Sequence, residues 1–276
     1  MSVRIDDQIY IKYLLHNREN LERVTIEYLG QDGVETPEVK EYAAADLTFD
    51  GNGMTEILAV VAPAQIGDLV KVAIYANGAK DGEYEYSVAK YCEYLIDGAY
   101  EENVKTLAKA ILEYGQAAND YFAVTGFYHA SNITTITEAV KAENVDAAKA
   151  TKTLSITGDA QSKFTGASFM ALTKPEFRFY TTGLTEEEAI ELNDQISVSG
   201  ATARFVKNPT TGAILLEVTG VEAAKMSANI TVTIGDFGTI TFCGNDFARM
   251  MAKNASTKTL GTALYLYGVA ADACFN

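Results

Sequence analysis

Few residues in this chain have the type and spacing that catalysis or metal binding requires. The 276 residues include two histidines, His16 and His129, and three cysteines. Neither histidine lies in an HExxH motif or near a cysteine at zinc-ligand spacing. No nucleophile elbow, phosphate-binding loop or dinucleotide-binding glycine pattern is present. We therefore predict no catalytic residue, no metal ligand and no cofactor, and we interpret both histidines as solvated loop residues.

Two acidic segments resemble functional motifs but favour structural interpretations. The run Asp46–Gly51 begins like a calcium-binding loop, yet Ile57 stands where the loop needs a bidentate glutamate, so we predict a turn. The run Thr185–Glu188 precedes an apolar stretch, and its carboxylates predict the first turn of a short helix, where they favour the helix dipole.

The cysteines are too few and too scattered for a disulfide framework. Cys92 and Cys274 lie on helical patterns, and Cys243 ends a strand-like run. We predict buried free thiols, with a bridge between Cys243 and Cys274 left open as an alternative.

Tyrosine is the residue type that most favours a binding role. The chain has 16 tyrosines and no tryptophan. Protein interfaces are enriched in tyrosine, so exposed tyrosines of the first half predict a protein-binding surface. The candidate binding residues are Tyr10, Tyr13, Tyr28, Tyr42 and Tyr84. Carbohydrate binding is the alternative if exposed, coplanar rings lie beside Asp or Asn, and a structural spacer is a third interpretation.

Charge and hydropathy exclude two classes of partner. The net charge of −15 and the pI near 4.6 disfavour nucleic acid, because phosphate neutralisation needs clustered Lys and Arg. No run of 18 apolar residues predicts a transmembrane helix, so we expect no membrane insertion. The first seven residues do not resemble a signal peptide and lead at once into a strand pattern. We interpret the chain as a fragment of a longer protein.

The same helical signature occurs twice. Thr106–Phe122 and Thr259–Phe275 are identical at eight of seventeen positions without a gap. Such a repeat predicts a duplication. The small residues at Gly115, Ala117 and Ala118 predict close packing of this helix against another helix or a sheet.

Strand patterns precede the helices in each half. Val24–Leu29 alternates with period two, and Asn77-Gly78 is typical of a hairpin turn. In the second half, Ile196–Val198 and Ala203–Lys207 flank a glycine turn. The second half also opens with strand patterns from Thr153 to Ile156 and from Phe164 to Leu172. The first half has little room before Ile9 for a counterpart, so either its first strand is cut off or the repeats differ there.

These patterns predict an α+β protein with two tandem repeats. Each repeat is expected to be an antiparallel β-sandwich or curled sheet followed by two C-terminal helices. We predict a first domain at 1–124, a partly helical connector at 125–151 and a second domain at 152–276.

Two segments resemble a known module. Tyr86-Ser87-Val88 followed by Tyr91, and Leu112-x-Tyr114-Gly115-x-Ala117-Ala118-x-x-Tyr121-Phe122, resemble a poorly characterised module of large secreted or surface-attached proteins of clostridial gut bacteria. The second half departs from this pattern, with Cys243 in place of Ser87 and Cys274 in place of Tyr121.

The resemblance implies an extracellular or cell-surface location and a modular, non-enzymatic role. The function that we expect is binding or adhesion to a host or neighbouring protein, and some surface proteins of this general kind bind immunoglobulins.

Overall fold

The computed structural model describes residues 1–29, 38–122, 154–170 and 175–276. The chain divides into two compact units. Of the described residues, the first unit contains 1–5, 9–29 and 38–122, and the second contains 6–8, 154–170 and 175–276. The predicted connector at 125–151 and His129 lie outside the described residues.

The first unit consists of two antiparallel sheets and two helices. One sheet has the strand order β1-β2-β5, and the other has the order β4-β3-β6-β7. The strands are β1 (Ser2–Ile5), β2 (Ile9–His16), β3 (Leu21–Leu29), β4 (Glu38–Ala43), β5 (Met54–Val61), β6 (Leu69–Ala76) and β7 (Ala79–Tyr86); the helices are α1 (Val88–Asp97) and α2 (Glu102–Phe122).

Period-two hydrophobicity places the core of this unit between the two sheets. Along β2, Ile9, Ile11, Tyr13 and Leu15 are buried, and the residues between them are more exposed. Such alternation is expected for a strand with one face on the core and one towards solvent. The sheets therefore form a β-sandwich.

Local sequence sets the connection from the sheet to the helices. Asn77 and Gly78 have positive φ angles of 53° and 76°, as a two-residue hairpin between β6 and β7 requires. Ser87 then caps α1, since its hydroxyl oxygen accepts a hydrogen bond from the Lys90 N–H at 3.2 Å.

The second unit has the same kinds of elements. Its sheets have the orders β12-β13-β10-β9 and β11-β14-β15-β8. The strands are β8 (Leu154–Thr157), β9 (Phe164–Met170), β10 (Glu176–Thr181), β11 (Ile196–Val198), β12 (Thr202–Lys207), β13 (Ile214–Thr219), β14 (Asn229–Ile234) and β15 (Gly238–Cys243); the helices are α3 (Ala160–Lys163), α4 (Glu186–Asn193), α5 (Gly244–Lys253) and α6 (Lys258–Phe275).

Aromatic packing holds the second unit together. The rings of Phe177 and Phe179 on β10 lie 4.9 and 5.1 Å from the ring of Phe242 on β15, which belongs to the other sheet. Phe247 of α5 lies 5.3 Å from Phe177. The two sheets and the first C-terminal helix thus share one core.

The repeated signature has a packing role in both units. A Cβ added at Gly115 of α2 would overlap the side chain of Ile66 and lie 3.1 Å from the carbonyl oxygen of Pro63, in the short 3-10 turn Pro63–Gln65. At the matching Gly268 of α6, a Cβ would lie 3.0 Å from the Cβ of Met226, which follows the 3-10 turn Ala223–Lys225. Gly115 therefore meets a turn, whereas the pattern predicted a helix or a sheet. Gly268 meets both a turn and the helix α5, because a Cβ there would lie 2.6 Å from the Oδ1 atom of Asn245.

The α+β class, the antiparallel sheets and the C-terminal helix pairs are confirmed by the structure. The interpretation of the chain as a duplication stays a prediction. The predicted short helix after Thr185 is confirmed as α4, with Thr185 and Glu188 forming a capping box. Among the described residues, no helix is long and apolar enough to cross a membrane.

Candidate functional site

A groove of about 240 Å³ opens between the two sheets of the first unit. Residues of β2, β5, β6 and β7 line it, so the groove is an unfilled end of the sandwich core. The lining residues are Met1, Tyr13, Leu14, Leu15, His16, Arg18, Ile57, Val72, Ile74 and Tyr84. Most of these side chains are apolar, which suits a site for apolar side chains of a partner.

Tyr13 is the polar group deepest in the groove. Its hydroxyl donates a hydrogen bond of 2.8 Å to the carbonyl oxygen of Val70 on β6. Burial raises the pKa of Tyr13 well above its usual range, with smaller contributions from Tyr28 and Glu85. The hydroxyl is therefore neutral at physiological pH and acts as a link between the two sheets.

β7 forms one wall of the groove. Tyr84 lies opposite Val72 of β6, and its side chain is 48% exposed. Gly82 lies opposite Ile74, and a Cβ at Gly82 would lie 3.8 Å from the Ile74 Cδ1 atom. Ile74 is 3% exposed, so the exposed apolar surface of this wall is the ring of Tyr84.

Leu14 contributes a second exposed apolar side chain, also 48% exposed. β1 pairs with β2 only from Ser2 opposite Lys12 to Ile5 opposite Ile9. Leu14 and His16 therefore extend beyond the paired part of β1, on the face of β2 opposite to Tyr13 and Leu15, at the rim of the groove. A salt bridge between Arg18 and Asp81 lies beside them.

The outer edge of β7 has no strand partner among the described residues. The N–H of Asn77 donates to the carbonyl oxygen of Asn20, on the β3 side of β6. Because main-chain directions alternate along a strand, Tyr84 directs its N–H and C=O groups towards β6. Glu83 and Glu85 direct theirs towards the free edge. We call the outward main-chain groups of Glu83 and Glu85 the β7 edge.

In the second unit, the strand that matches β7 has a covered edge. β8 pairs with β15, with Thr157 opposite Thr239 and Ile156 opposite Ile240. Ile240 lies opposite Val232 of β14, as Tyr84 lies opposite Val72 of β6. Beneath β8, Ile240 is fully buried, at 0% exposure. The extra strand pattern at the start of the second half therefore corresponds to a strand that closes one edge there.

Comparisons with protein-family models and with curated proteins find no match for this chain. The resemblance to the clostridial surface module stays a prediction.

The structure brings two of the five candidate tyrosines together. Tyr13 and Tyr84 both line the groove. Tyr10 lies half-buried on the opposite face of β2 from Tyr13, and Tyr28 and Tyr42 lie half-buried on β3 and β4. These three tyrosines are not part of the groove lining.

Four further tyrosines, none of them among the five candidate binding residues, form a cluster beside β7. Tyr86 and Tyr91 are 6.4 Å apart with an interplanar angle of 71°, and Tyr94 and Tyr100 are 5.8 Å apart at 66°. Both pairs are edge-to-face. They do not provide the coplanar rings that the carbohydrate-binding interpretation needs at this position.

The potential catalytic groups serve local structure. His16 is exposed at the end of β2, beside the solvent-exposed carboxyl of Asp50. That carboxyl accepts hydrogen bonds from the N–H groups of Asn52 and Met54 at 2.8 and 2.9 Å, and these bonds lower the pKa of Asp50. The predicted turn after Asp46 is therefore present, and Asp50 stabilises it.

The described residues contain no group of three or more His, Cys, Asp or Glu side chains arranged to hold a metal ion. All three cysteines are free thiols. Cys92 and Cys243 are buried as predicted, whereas Cys274 is half-buried, so its predicted burial is wrong. The Cys243 thiol donates to the Met226 carbonyl oxygen at 3.4 Å. The alternative bridge between Cys243 and Cys274 is therefore not formed in the structure.

Leu14, Gly82 and the β7 edge are the site features that sequence reasoning missed. A glycine inside a strand pattern and alternating glutamates are signals of an edge strand. They occur together in Gly82-Glu83-Tyr84-Glu85, so the edge position of β7 was readable in part.

Proposed function

We propose that this chain is a non-enzymatic, protein-binding module of a bacterial secreted or surface-attached protein. The groove of the first unit carries the proposal. It combines an apolar floor with two half-exposed side chains, Leu14 and Tyr84, next to a strand edge that has free main-chain groups. An extended segment of a partner protein matches these features better than a compact ligand does.

Glycan binding is the second candidate, and its support is weaker at this site. The two tyrosine pairs beside β7 are edge-to-face, and the first pair is half-buried. The groove floor of Ile57, Val72 and Ile74 is aliphatic. A sugar ring stacks best on a flat aromatic face with polar groups at its rim. The groove floor offers no exposed aromatic face, because Tyr13 is 4% exposed, so a protein partner is favoured.

The extracellular location and the role in adhesion follow from the resemblance of the helical signature and form part of the same proposal. An acidic, soluble module is consistent with them. A host protein such as an immunoglobulin, or a neighbouring protein of the bacterial surface, is the expected class of partner.

Affinity capture with the whole chain as bait tests this function. Immunoglobulins and mucin glycoproteins from gut secretions are offered before and after enzymatic deglycosylation. Capture by the wild-type chain should survive deglycosylation. Leu14→Arg should weaken it by about threefold or more, because a charge replaces an apolar contact at the rim of the groove.

Val39→Arg is the matched control. Val39 is also an exposed apolar strand residue of the first unit, at 51% exposure, but it lies on β4 and not at the groove. Capture that deglycosylation abolishes would favour glycan binding. Capture that Leu14→Arg and Val39→Arg affect equally, or no capture at all, would contradict the proposal.

A further inference from the structure

We propose that the β7 edge binds an added β-strand from a partner protein, and that this strand alternates basic and apolar residues. The basic residues lie opposite Glu83 and Glu85, and the apolar residues lie opposite Gly82 and Tyr84. This inference rests on the proposed function and specifies its partner by chemistry and register.

The main-chain groups at the outer edge of β7 can pair with an added strand. Glu83 and Glu85 direct their N–H and C=O groups outward, and no described strand pairs with them. In an antiparallel pair, two residues opposite each other exchange both hydrogen bonds. A partner strand with residues opposite Glu83 and Glu85 therefore gains four main-chain hydrogen bonds.

The second unit shows that a strand fits at the matching edge. Thr239 and Thr241 of β15 hold the positions that Glu83 and Glu85 hold in β7, as judged by pairing with the preceding strand. Thr157 and Ser155 of β8 lie opposite them. The hydroxyls of Thr157 and Thr239 are 2.7 Å apart, so cross-strand side-chain complementarity is part of this pairing.

Side chains of the added strand at the apolar positions would enter the groove. Residues directly opposite each other in a sheet share a face, and Tyr84 faces the core side. In the second unit, the apolar Ile156 takes this place against Ile240. In the first unit, the equivalent side chain would lie against the half-exposed ring of Tyr84 at the rim of the groove.

The other positions of the added strand face acidic groups. β7 has a net charge of −2, because it contains one basic residue, Lys80, and three acidic residues, Asp81, Glu83 and Glu85. Lys80 is paired with Glu83 at 2.6 Å, and Asp81 is paired with Arg18. Glu85 has no ion pair with a described residue, although Lys71, which pairs with Glu27, lies opposite it on β6. Like charges opposite each other destabilise a sheet and unlike charges stabilise it. The β7 edge should therefore bind a basic strand more tightly than an acidic one.

A pair of designed heptapeptides tests the inference against the whole chain by calorimetry. The probe is Thr-Ile-Arg-Ile-Arg-Ile-Thr with blocked ends, and its counterpart carries Glu in place of both Arg residues. We expect the basic peptide to bind and the acidic one not to bind. The double variant Glu83→Lys with Glu85→Lys should reverse this preference.

The neutral double variant Glu83→Gln with Glu85→Gln should bind the basic peptide about 2- to 30-fold more weakly. This range follows from the loss of two cross-strand charge pairs, each of which contributes about 0.2–1 kcal/mol. The exposed pair Glu186 and Glu187 of α4 provides the matched control, and its double glutamine variant should bind normally. Equal losses in both variants would show unspecific attraction to an acidic protein and would overturn the inference.

N-methylated peptides separate strand pairing from other modes of binding. Methyl groups on the main-chain nitrogens of the two Arg residues, whose N–H groups face the β7 edge, should abolish binding. Methyl groups on the main-chain nitrogens of the two outer Ile residues, whose N–H groups face away from β7, should change the affinity by no more than about threefold. No main-chain hydrogen bond to β7 is lost in that peptide. Equal effects of the two patterns would overturn strand addition.

The outcomes separate this inference from the proposed function. If Leu14-dependent capture of a protein succeeds but the basic peptide does not bind, the module function stands and the strand chemistry is wrong. If the peptide binds with the expected charge reversal and the bait captures no protein, strand addition stands and the surface-module function is wrong.

Discussion

The hydroxyl of Tyr13 donates a 2.8 Å hydrogen bond to the carbonyl oxygen of Val70, and this bond joins the two sheets of the first unit at the groove. Tyr13 is therefore a structural residue of the site. Its exposure is 4%, which leaves little of the ring for a ligand.

Tyr13→Phe should lower the free energy of unfolding by about 0.5–1.5 kcal/mol, because the ring volume is kept and one buried hydrogen bond is lost. Urea unfolding followed by circular dichroism measures this change. Tyr84→Phe, at an exposed tyrosine, is the control and should be nearly neutral. Equal effects at both positions would contradict the structural role of the Tyr13 hydroxyl.

Asp68 should make the protein less stable as the pH rises. Its carboxyl is 5% exposed, its Oδ1 atom has no hydrogen-bond partner among the described residues, and burial raises its pKa to about 8. From about pH 4 to pH 8 the unfolded chain releases this proton and the folded chain keeps it. Stability therefore falls by up to about 1.4 kcal/mol per pH unit across this window.

Asp68→Asn should remove that slope, which chemical denaturation at pH 5, 6, 7 and 8 would measure. Burial also raises the pKa of Glu113, to about 7, so Glu113→Gln should remove a similar slope that ends near pH 7. A wild-type slope that persists unchanged in Asp68→Asn would show that Asp68 is ionised in the folded protein.

Gly115→Ala tests the packing role of the repeated signature. The added Cβ would overlap the buried side chain of Ile66, so we expect destabilisation of about 1–3 kcal/mol. Ile66→Ala destabilises by itself but removes the clash. The double variant should therefore be more stable than the sum of the two single effects predicts, and strict additivity would contradict this contact.

The three thiols should differ in reactivity. Cys92 is fully buried, Cys243 is buried, and Cys274 is half-buried near the end of α6. Burial raises the pKa of all three thiols, most strongly that of Cys92. A thiol reagent should modify Cys274 first, and all three should react after denaturation without reductant. Fewer than three thiols under those conditions would indicate a disulfide.

Local patterns predicted most of the elements, because short-range physics decides them. The alternation in Ile9–His16, the Asn77-Gly78 turn and the Thr185 cap each determine their structure within a few residues. Sheet partners are decided by long-range packing. Ile196–Val198 and Thr202–Lys207 flank a glycine turn, yet they pair with β14 and β13 of different sheets and form no hairpin.

The candidate site was less predictable than the fold. Tyrosine content indicated a binding surface, but the local pattern does not tell Tyr13, which is buried, from Tyr84, which is exposed. The difference depends on which strand of the sheet is at the edge. An edge position depends on long-range strand pairing, which Gly82 and the alternating glutamates of β7 indicate only in part.

Amide hydrogen exchange at Glu83 and Glu85 tests the central claim most directly. In the free chain, both N–H groups should exchange rapidly, because they point to solvent from an unpaired edge. With the basic heptapeptide bound, exchange at both residues should slow strongly, and Tyr84, already paired with β6, should change little. Protection confined to other residues, or none at Glu83 and Glu85, would contradict strand addition at the β7 edge.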